Sequence, residues 1–358
     1  MGRRRFKRRS QKKKNRIGKI LFLLTLALGV YAVIKVYGLI LKDNIKKEEP
    51  VYLYIPSGAS YETVIDSLEK LDVLKSFTGF DLVAKLKSYP DLVKPGRYKI
   101  GSGLSNNELV NKLRSGDQEV VQLTFNNLED IYELAGIVSR QIEADSASLV
   151  AEMTSIDVDD FEVNSATLPS LFLPNTYQFY WNTDADGFVR RMVLEFNRFW
   201  NNERKSKAKS MNLTIPEVVT LASIVHKETV KPDERKRVAG LYVNRIRKNW
   251  KLQSDPTVIF AVKKKLNKDT IIRRVLYKDL RTESPYNTYL NPGIPPGPIC
   301  IPPLGAIDAV LYHEEHEYMY MCAREDFSGY HNFAITASQH AINRAKYTKE
   351  LDRRNIKR

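Results

Sequence analysis

The chain has 358 residues and a formal net charge of +15, but residues 1–19 hold eleven basic residues and no acid, and the rest carries only +4. This distribution excludes a nucleic-acid-binding protein with basic charge spread over its surface. A hydrophobic fraction of 43% excludes an intrinsically disordered chain, and two cysteines exclude a disulfide scaffold or a cysteine-rich zinc module.

An apolar segment at 20–41 follows the basic tail and contains one charge, Lys35. About 20 apolar residues span the hydrocarbon core of a bilayer, and a lysine near the end of such a segment can extend to the interface. The segment is longer than the ~7–15-residue apolar core of a signal peptide, and no A-x-A-like cleavage site follows it. We predict an uncleaved transmembrane helix at 20–41. A buried helix of a soluble domain is the alternative interpretation.

The basic tail also predicts the orientation of that helix. Under the positive-inside rule, residues 1–19 stay in the cytoplasm and the rest of the chain lies outside the inner membrane. The tail then serves as a topology signal on an anionic leaflet, and no nucleic-acid partner is needed to explain it. Cys300 and Cys322 would lie in a compartment where a disulfide is allowed, although the sequence does not set their separation.

A short charged linker is predicted at 42–50, followed by a small module. Val51–Ile55 alternates like a strand, Arg97–Ile100 follows a Pro-Gly turn, and Ser105 is placed to cap a helix. Two helices and two strands in so short a span predict a small α+β domain at 51–117.

Residues 118–347 are predicted to form a larger α+β domain, and a charged tail follows at 348–358. The elements expected first in this domain are a strand at Gln118–Phe125, helices at Glu129–Glu143 and Ser146–Ser155, a loop and strand at Leu168–Trp181 and one amphipathic helix at Asp186–Ala208. Large apolar residues recur at helical spacing in the last of these, and we expect them to face the core.

A candidate catalytic acid stands near the end of the next predicted helix. Thr214 and Glu217 fit a capping box that opens this helix. Glu228 falls on its apolar side near the C-terminal end, where partial burial and the helix dipole both raise the pKa of a carboxyl group. A general acid that works near neutral pH needs such an environment. On the pattern alone, a surface glutamate or one paired with an arginine remains the commoner case.

A long irregular segment at Ser284–Ile299 is rich in proline, tyrosine and asparagine. Loops of this kind often line grooves on a rigid scaffold. Tyr286, Asn287 and Tyr289 offer stacking faces and hydrogen bonds, which suit a sugar polymer.

Five motifs follow one another in the second half of the chain: ASIVHKET (Ala222–Thr229), VNRIR (Val243–Arg247), LQSDPTVIFAV (Leu252–Val262), SPYNTYLNPGIPPGPI (Ser284–Ile299) and HNFAITASQH (His331–His340). Together they resemble the YceG-like family of membrane-anchored endolytic murein transglycosylases. They occur in the family's order, and the resemblance covers most of residues 50–345. It implies an α+β fold with a single N-terminal transmembrane helix, a small LysM-like domain at 51–117 and a YceG-like catalytic domain at 118–347.

The resemblance also implies roles for individual residues. It makes Glu228 the catalytic acid and places Gln253, Asp255 and Thr257 along the substrate groove. Asp255 would orient substrate or support Glu228, and the alternative is that it simply begins the next helix. The resemblance also places His331 in a motif near the site. The alternative is that His331 has only a structural hydrogen-bonding role.

The sequence departs from the family pattern at two places. Many relatives carry a second glutamate where this chain has His226. The family's E-G-[YF]-L-F-P-D-T-Y element reads PSLFLPNTY here, with Pro169 and Ser170 in place of Glu-Gly and Asn175 in place of Asp. The departure leaves Glu228 in place, but it argues against a role for an acidic group around 169–175.

The implied reaction cuts the β-1,4 bond between N-acetylmuramic acid and N-acetylglucosamine and leaves 1,6-anhydro ends. One glutamate suffices because the C6 hydroxyl of the sugar replaces water. No cofactor and no metal are expected, since His313 and His316 lack the H-E-x-x-H spacing and a third ligand. The implied partners are peptidoglycan glycan strands, the inner membrane and peptidoglycan synthases, near which the enzyme would end chain elongation.

Two other functions remain open at this point. A muramidase-type hydrolase would need a second placed carboxylate, for which Asp255 is the obvious candidate. A non-catalytic wall-binding anchor would use only the LysM-like domain, and the retention of Glu228 within its whole motif argues against it.

Overall fold

The computed structural model describes residues 3–126, 128–158, 161–266, 272 and 275–354. The chain divides into two compact units. Unit 1 comprises Met1–Val121 and Tyr180–Asn182, and unit 2 comprises Gln122–Phe179 and Thr183–Arg358. Both mix helices with short paired strands, so the predicted α+β class is confirmed.

Unit 1 begins with a long helix, α1 (Arg3–Leu41). Its part Gly18–Leu41 is long and apolar enough to cross a membrane, judged by length and composition. The predicted segment 20–41 lies within this part. Its large apolar side chains are exposed, with Leu28 at 72%, and such a surface is compatible with a membrane anchor.

The rest of unit 1 packs three helices and a two-stranded sheet around one core. Strand β1 (Val51–Ile55) pairs antiparallel with β2 (Gly96–Ile100), so that buried Leu53 lies opposite buried Tyr98. The helices are α2 (Tyr61–Leu71), α3 (Phe77–Leu86) and α4 (Asn106–Ser115).

The predicted cap of α4 is confirmed. The Ser105 hydroxyl accepts from the backbone N–H of Glu108, whose carboxylate accepts from the N–H of Ser105. Gly116 ends the helix with φ at +77°, a left-handed conformation that favours glycine.

The segment predicted as a linker at 42–50 is partly built into unit 1. Asn44 and Ile45 are buried, and the backbone N–H of Asn44 donates to the carbonyl of Leu104 at 3.0 Å. The charges around them favoured a solvent-exposed interpretation. The structure instead gives the Asn44 amide buried partners on two other elements.

A chain of asparagines joins the end of α1 to this core. Asn106 Nδ2 donates to the backbone carbonyl of Leu39 at 2.7 Å, and Asn44 Nδ2 donates to Asn106 Oδ1 at 2.7 Å. Asn44 Oδ1 also accepts from the backbone N–H of Ser76 at 2.8 Å. The last turn of α1 is therefore bonded to the module and does not leave it as a free tether.

We expect Asn106→Ala to lower the free energy of unfolding of unit 1 by about 1–3 kcal/mol, because it leaves buried polar partners without hydrogen bonds. Chemical denaturation of the full chain in detergent measures this loss. Asn111→Ala is the matched control on the same helix. Asn111 is exposed, and among the described residues its side chain accepts from Lys87 alone, so its loss should stay within about 0.5 kcal/mol. Equal effects of the two variants would contradict a structural role for the buried chain.

Unit 2 is mainly helical and contains two further strand pairs. Strand β3 (Val120–Phe125), most of which belongs to this unit, pairs with β4 (Asn175–Tyr180), and β5 (Tyr320–Ala323) pairs antiparallel with β6 (His331–Ala334). Its helices are α5 (Ile131–Val138), α6 (Ser146–Thr154), α7 (Ala185–Phe199), α8 (Asn202–Ser210), α9 (Ile215–Glu228), α10 (Arg235–Arg247), α11 (Asp255–Leu266), α12 (Leu304–Leu311) and α13 (Ala337–Arg353).

Helix α9 is the centre of this unit. It packs against α10, α11 and α12, and every residue from Val218 to Val225 is buried. A helix enclosed on all sides is a rigid support for whatever side chain stands at its end.

The single helix predicted at Asp186–Ala208 is wrong, because the structure has two. Helix α7 ends before Trp200, and the Asn201 side chain accepts from the backbone N–H of Arg204 to cap α8. The predicted core stripe is confirmed, since its four members are all buried: Phe188, Met192, Phe196 and Trp200. The helix predicted at Glu129–Glu143 is shorter, as α5 ends at Val138.

The predicted loop and strand at Leu168–Trp181 is confirmed as a 3-10 turn at Leu168–Leu171 followed by β4. At the other end of the chain, α13 runs to Arg353, into the tail predicted at 348–358. Residues 355–358 of that tail lie outside the described residues.

Candidate active site

Glu228 is the last residue of α9, as predicted. The capping box at the other end of this helix is present, since Thr214 and Glu217 bond each other's backbone N–H groups. Thr229 then leaves the helix in an extended conformation. The buried residues Leu221 and Val225 precede Glu228 by seven and three positions, which places the acid on a face that packs into the core.

Two hydroxyl groups hold one oxygen of the Glu228 carboxyl group. Tyr242 on α10 donates to Oε1 at 2.6 Å, and Ser254, just before α11, donates to the same oxygen at 2.5 Å. Within the part of the chain that the structure describes, no hydrogen bond is made to Oε2. Oε2 is therefore the oxygen left to exchange a proton with a substrate.

The surroundings of Glu228 favour its neutral form. Burial raises the pKa of the carboxyl group above its usual value, while the hydrogen bonds from Ser254 and Tyr242 lower it in part. The negative charge of Asp255 raises the pKa further, and His331 lowers it slightly. The residue as a whole keeps some exposed surface although its carboxyl group is surrounded by protein atoms. A carboxyl group whose pKa is raised above its usual value is what a general acid working near neutral pH requires.

This environment predicts that Glu228→Gln stabilises the protein at alkaline pH. Because the folded pKa lies above the usual 4.5, wild-type stability is complete below that value and falls as pH rises through the folded pKa. Glutamine stays neutral and keeps an oxygen for Tyr242 and Ser254. We expect a gain of about 1 kcal/mol on the alkaline side and none on the acidic side, measured by denaturant unfolding across pH. A gain that does not depend on pH would contradict the raised pKa.

Asp255 and Tyr289 form a pair beside Glu228. Asp255 is exposed and is the first residue of α11, and the Tyr289 hydroxyl donates to its Oδ1 at 2.6 Å. Burial, and then the Asp255 carboxylate, raise the pKa of Tyr289. Both interpretations of Asp255 thus have support, because it begins a helix and also lies close enough for its charge to act on Glu228.

The LQSDPT turn positions Ser254. Gln253 is exposed and has φ at +48°, a left-handed conformation that costs a non-glycine residue about 1 kcal/mol or more. Thr257 is fully buried, donates to the Ser254 carbonyl at 2.7 Å and contacts the Thr288 hydroxyl at 2.8 Å. Of the three residues predicted to line the groove here, Gln253 and Asp255 are accessible, whereas Thr257 holds the turn from inside.

Tyr286 and Asn287, both predicted to contact the glycan, are buried. Tyr286 is 5% exposed and packs on Phe260 with ring centres 4.7 Å apart. Asn287 is fully buried; its amide donates to the carbonyls of Leu280 and Thr282 and accepts from the N–H of Tyr289. These contacts support a role in holding the proline-rich loop, which in turn places Tyr289.

His331, the first residue of β6, is bonded to an acid that the sequence had not indicated. Its Nδ1 lies 2.8 Å from Glu234 Oε2, and its backbone N–H donates to Glu234 Oε1 at 2.8 Å. Glu234 was missed because it lies in the charged run PDERKR, which has the pattern of a solvated surface. Tyr242 was missed because its spacing fits a core residue. Ser254 had a usable signal, since it stands between two predicted groove residues.

Among the described residues, no group of three or more His, Cys, Asp or Glu side chains could hold a metal ion. His313 and His316 instead contact the backbone carbonyls of Val310 and Arg237. Cys300 and Cys322 are free thiols, and burial raises the pKa of Cys300 to about 12.

The sequence profile of the YceG-like family matches residues 53–346. The chain belongs to the YceG-like family. It is 28% identical over 330 residues to the endolytic murein transglycosylase of Bacillus subtilis strain 168, covering 87% of this chain and 89% of that protein. It is 29% identical over 339 residues to the protein of the same name from Streptococcus pneumoniae strain D39, covering 85% of this chain and 60% of that longer protein.

A solved structure shares the fold of this YceG-like chain. The crystal structure of a YceG-like protein from Listeria monocytogenes superimposes with a TM-score of 0.53 at 23% sequence identity. The match covers 83% of this chain and 99% of that one. At this level of identity the similarity establishes the fold.

Proposed function

We infer that this chain is an endolytic murein transglycosylase that cuts the bond between N-acetylmuramic acid and N-acetylglucosamine and leaves a 1,6-anhydro end. The observation that carries this inference is Glu228 at the end of α9, whose pKa burial raises and whose Oε2 accepts no hydrogen bond from the described residues. The names of the Bacillus and Streptococcus relatives support the same activity.

In the proposed reaction, Glu228 donates its proton to the glycosidic oxygen as the C1–O bond breaks. The C6 hydroxyl of the same muramic acid then attacks C1 and forms the C1–O6 bond, and its proton passes to Glu228. The acid is regenerated and no water is consumed. Intramolecular attack of this kind has a high effective molarity, which favours it over attack by water.

The two oxygens of the Glu228 carboxyl group have different roles in this mechanism. Oε1 accepts the two hydrogen bonds, and Oε2 exchanges the proton. Once Oε2 has given up its proton, Tyr242 and Ser254 donate to a charged oxygen, and such charge-assisted hydrogen bonds are stronger than neutral ones. They therefore stabilise the state that follows proton transfer more than the starting state, which lowers the barrier.

We propose that the glycan strand lies across Glu228, Asp255, Tyr289 and Gln253. The last three are at least partly accessible, and together they offer a carboxylate, an aromatic face and an amide. Since Asp255 is an exposed acid whose charge acts on Glu228, a muramidase that uses Asp255 to direct water is the second candidate.

We also propose that α1 anchors the chain in the inner membrane with its N-terminus in the cytoplasm. The apolar part of α1 and the basic residues before it support this orientation. Residues 51–117 would act as a LysM-like glycan-binding domain, and the enzyme would work on nascent strands beside peptidoglycan synthases.

The test is digestion of purified peptidoglycan by the full-length protein in detergent, with mass spectrometry of the released ends. The transglycosylase yields 1,6-anhydro ends, one water lighter than reducing ends. Reducing muramic acid ends would replace the proposal with the muramidase, and no cleavage would refute both. The full chain is required because Asn106 and Asn44 bond the module to the end of α1.

A further inference from the structure

A buried acid that the reaction does not use lies next to the end of the catalytic helix. Glu234 follows α9 in a short 3-10 turn, and its side chain is only 3% exposed. Burial by itself would raise the pKa of this carboxyl group, but hydrogen bonds from His331 and Thr229 bring the pKa below its usual value. Glu234 is therefore ionised at neutral pH, and a buried charge needs a compensating role.

Among the described residues, the hydrogen bonds of this carboxylate go to the residue that follows the catalytic helix and to the first residue of β6. Oε2 accepts from the hydroxyl of Thr229, the residue after Glu228, at 3.0 Å and lies 2.8 Å from Nδ1 of His331. Oε1 accepts from the backbone N–H of His331. The Thr229 hydroxyl in turn accepts from the N–H of Lys231 at 3.1 Å. One carboxylate thus fixes both the chain after Glu228 and the imidazole of His331.

The contact determines which ring nitrogen of His331 carries the proton. An ionised carboxylate can only accept, so Nδ1 must be the donor and carry the hydrogen. Nε2 makes no hydrogen bond to any residue that the structure describes and is not among the buried unpaired atoms. A protonated His331 would lower the pKa of Glu228, so this ring lies within electrostatic reach of the catalytic carboxyl group.

We propose that Glu234 is a positioning residue that holds His331 beside Glu228 with Nδ1 as donor, so that Nε2 presents a hydrogen-bond acceptor to the glycan. The ligand atoms that suit such an acceptor are the hydroxyl or acetamido N–H groups of the sugar. The proposal rests on the glycan-cleaving function of the site. It adds a fixed imidazole to that site and assigns a role to an acid that takes no part in proton transfer.

Glu234→Gln is the decisive variant because it exchanges donor and acceptor in the hydrogen bond between residue 234 and Nδ1 of His331. The Gln oxygen can still accept from the His331 backbone, but its NH2 group must donate to Nδ1. The ring proton then moves to Nε2, which faces the glycan as a donor. We expect kcat/KM for release of 1,6-anhydro ends to fall about tenfold, the effect of one misplaced hydrogen bond. His331→Gln should cause a similar loss.

Two readouts separate positioning from simple structural support. The first is nitrogen-15 NMR of the full chain in detergent, in which His331→Gln assigns the signal of this ring among five histidines. The spectrum should show the Nδ1–H tautomer in the wild type and the Nε2–H tautomer in Glu234→Gln. The double variant should be no slower than either single one, because both act through the same ring. Glu350→Gln is the matched control: Glu350 also accepts from two side chains, Arg353 and Arg354, but on α13, and its loss should leave the rate unchanged.

Failure of the positioning role of Glu234 can be told apart from failure of the transglycosylase function. Absence of cleavage by the wild type would remove the transglycosylase, whereas the tautomer measurement would stand without it. A Glu234→Gln protein that unfolds more easily yet cleaves at the wild-type rate would overturn the positioning role. If that variant does not fold, an unchanged rate in His331→Gln would overturn it equally.

Discussion

Glu228→Gln should lower the rate of 1,6-anhydro end formation by about a thousandfold, since loss of a general acid costs about 10²–10⁴ in rate. The expectation follows from the single free oxygen, Oε2, which in glutamine becomes either a carbonyl oxygen without a proton or an amide group that cannot protonate a leaving sugar. The rate is measured by mass spectrometry of glycan ends released by the full-length protein.

The matched control stands on the same helix. Glu217→Gln changes the same functional group at the other end of α9, where glutamine also satisfies a capping box, and it should leave the rate unchanged. Glu228→Gln should still cosediment with peptidoglycan, because the substitution preserves the shape of the groove. A Glu228→Gln protein within tenfold of the wild type would remove Glu228 from the mechanism.

Where folding depends on local chemistry, the sequence predicted the structure well. The capping box at Thr214 and the apolar spacing after it placed Glu228 at the end of α9, because caps and helical periodicity act within one or two turns. The break between α7 and α8 was missed because helical periodicity alone gives no sign of it. The apolar repeat runs across it, and only the capping geometry of Asn201 marks the new start.

Features that depend on distant partners could not be predicted in this way. Asn44 lies in a charged stretch, and its burial is set by Asn106, which stands 62 positions later. Glu234 has the local pattern of a surface residue, and its partner His331 follows 97 positions later. A single sequence carries no signal for such pairs. Resemblance to a family indicated Glu228 and His331, which lie in its motifs, but not the buried acid that orients one of them.

The two donors to Glu228 Oε1 provide the second large effect. Tyr242→Phe removes one hydroxyl from a fully buried ring of the same shape, so the fold should persist. The lost bond is one that strengthens when Glu228 is charged. Hydrogen bonds to charged groups contribute about 1.5–3 kcal/mol, which predicts a fall in kcat of roughly 10–100-fold. Ser254→Ala should act in the same direction, and the two effects should not add because both bonds end on one oxygen.

The pH profile distinguishes this explanation from a loss of packing. The hydrogen bonds from Tyr242 and Ser254 lower the pKa of Glu228, so removing either one must raise that pKa further. Since the reaction begins with protonated Glu228, the alkaline limb of the kcat/KM profile should move to higher pH in both variants even as the maximum rate falls. A limb that stays in place or moves to lower pH would show that the two hydroxyls do not act on the catalytic carboxyl group. A slower enzyme that remains active at higher pH is an outcome that disordered packing does not produce, because loosened packing would admit water around Glu228 and lower its pKa.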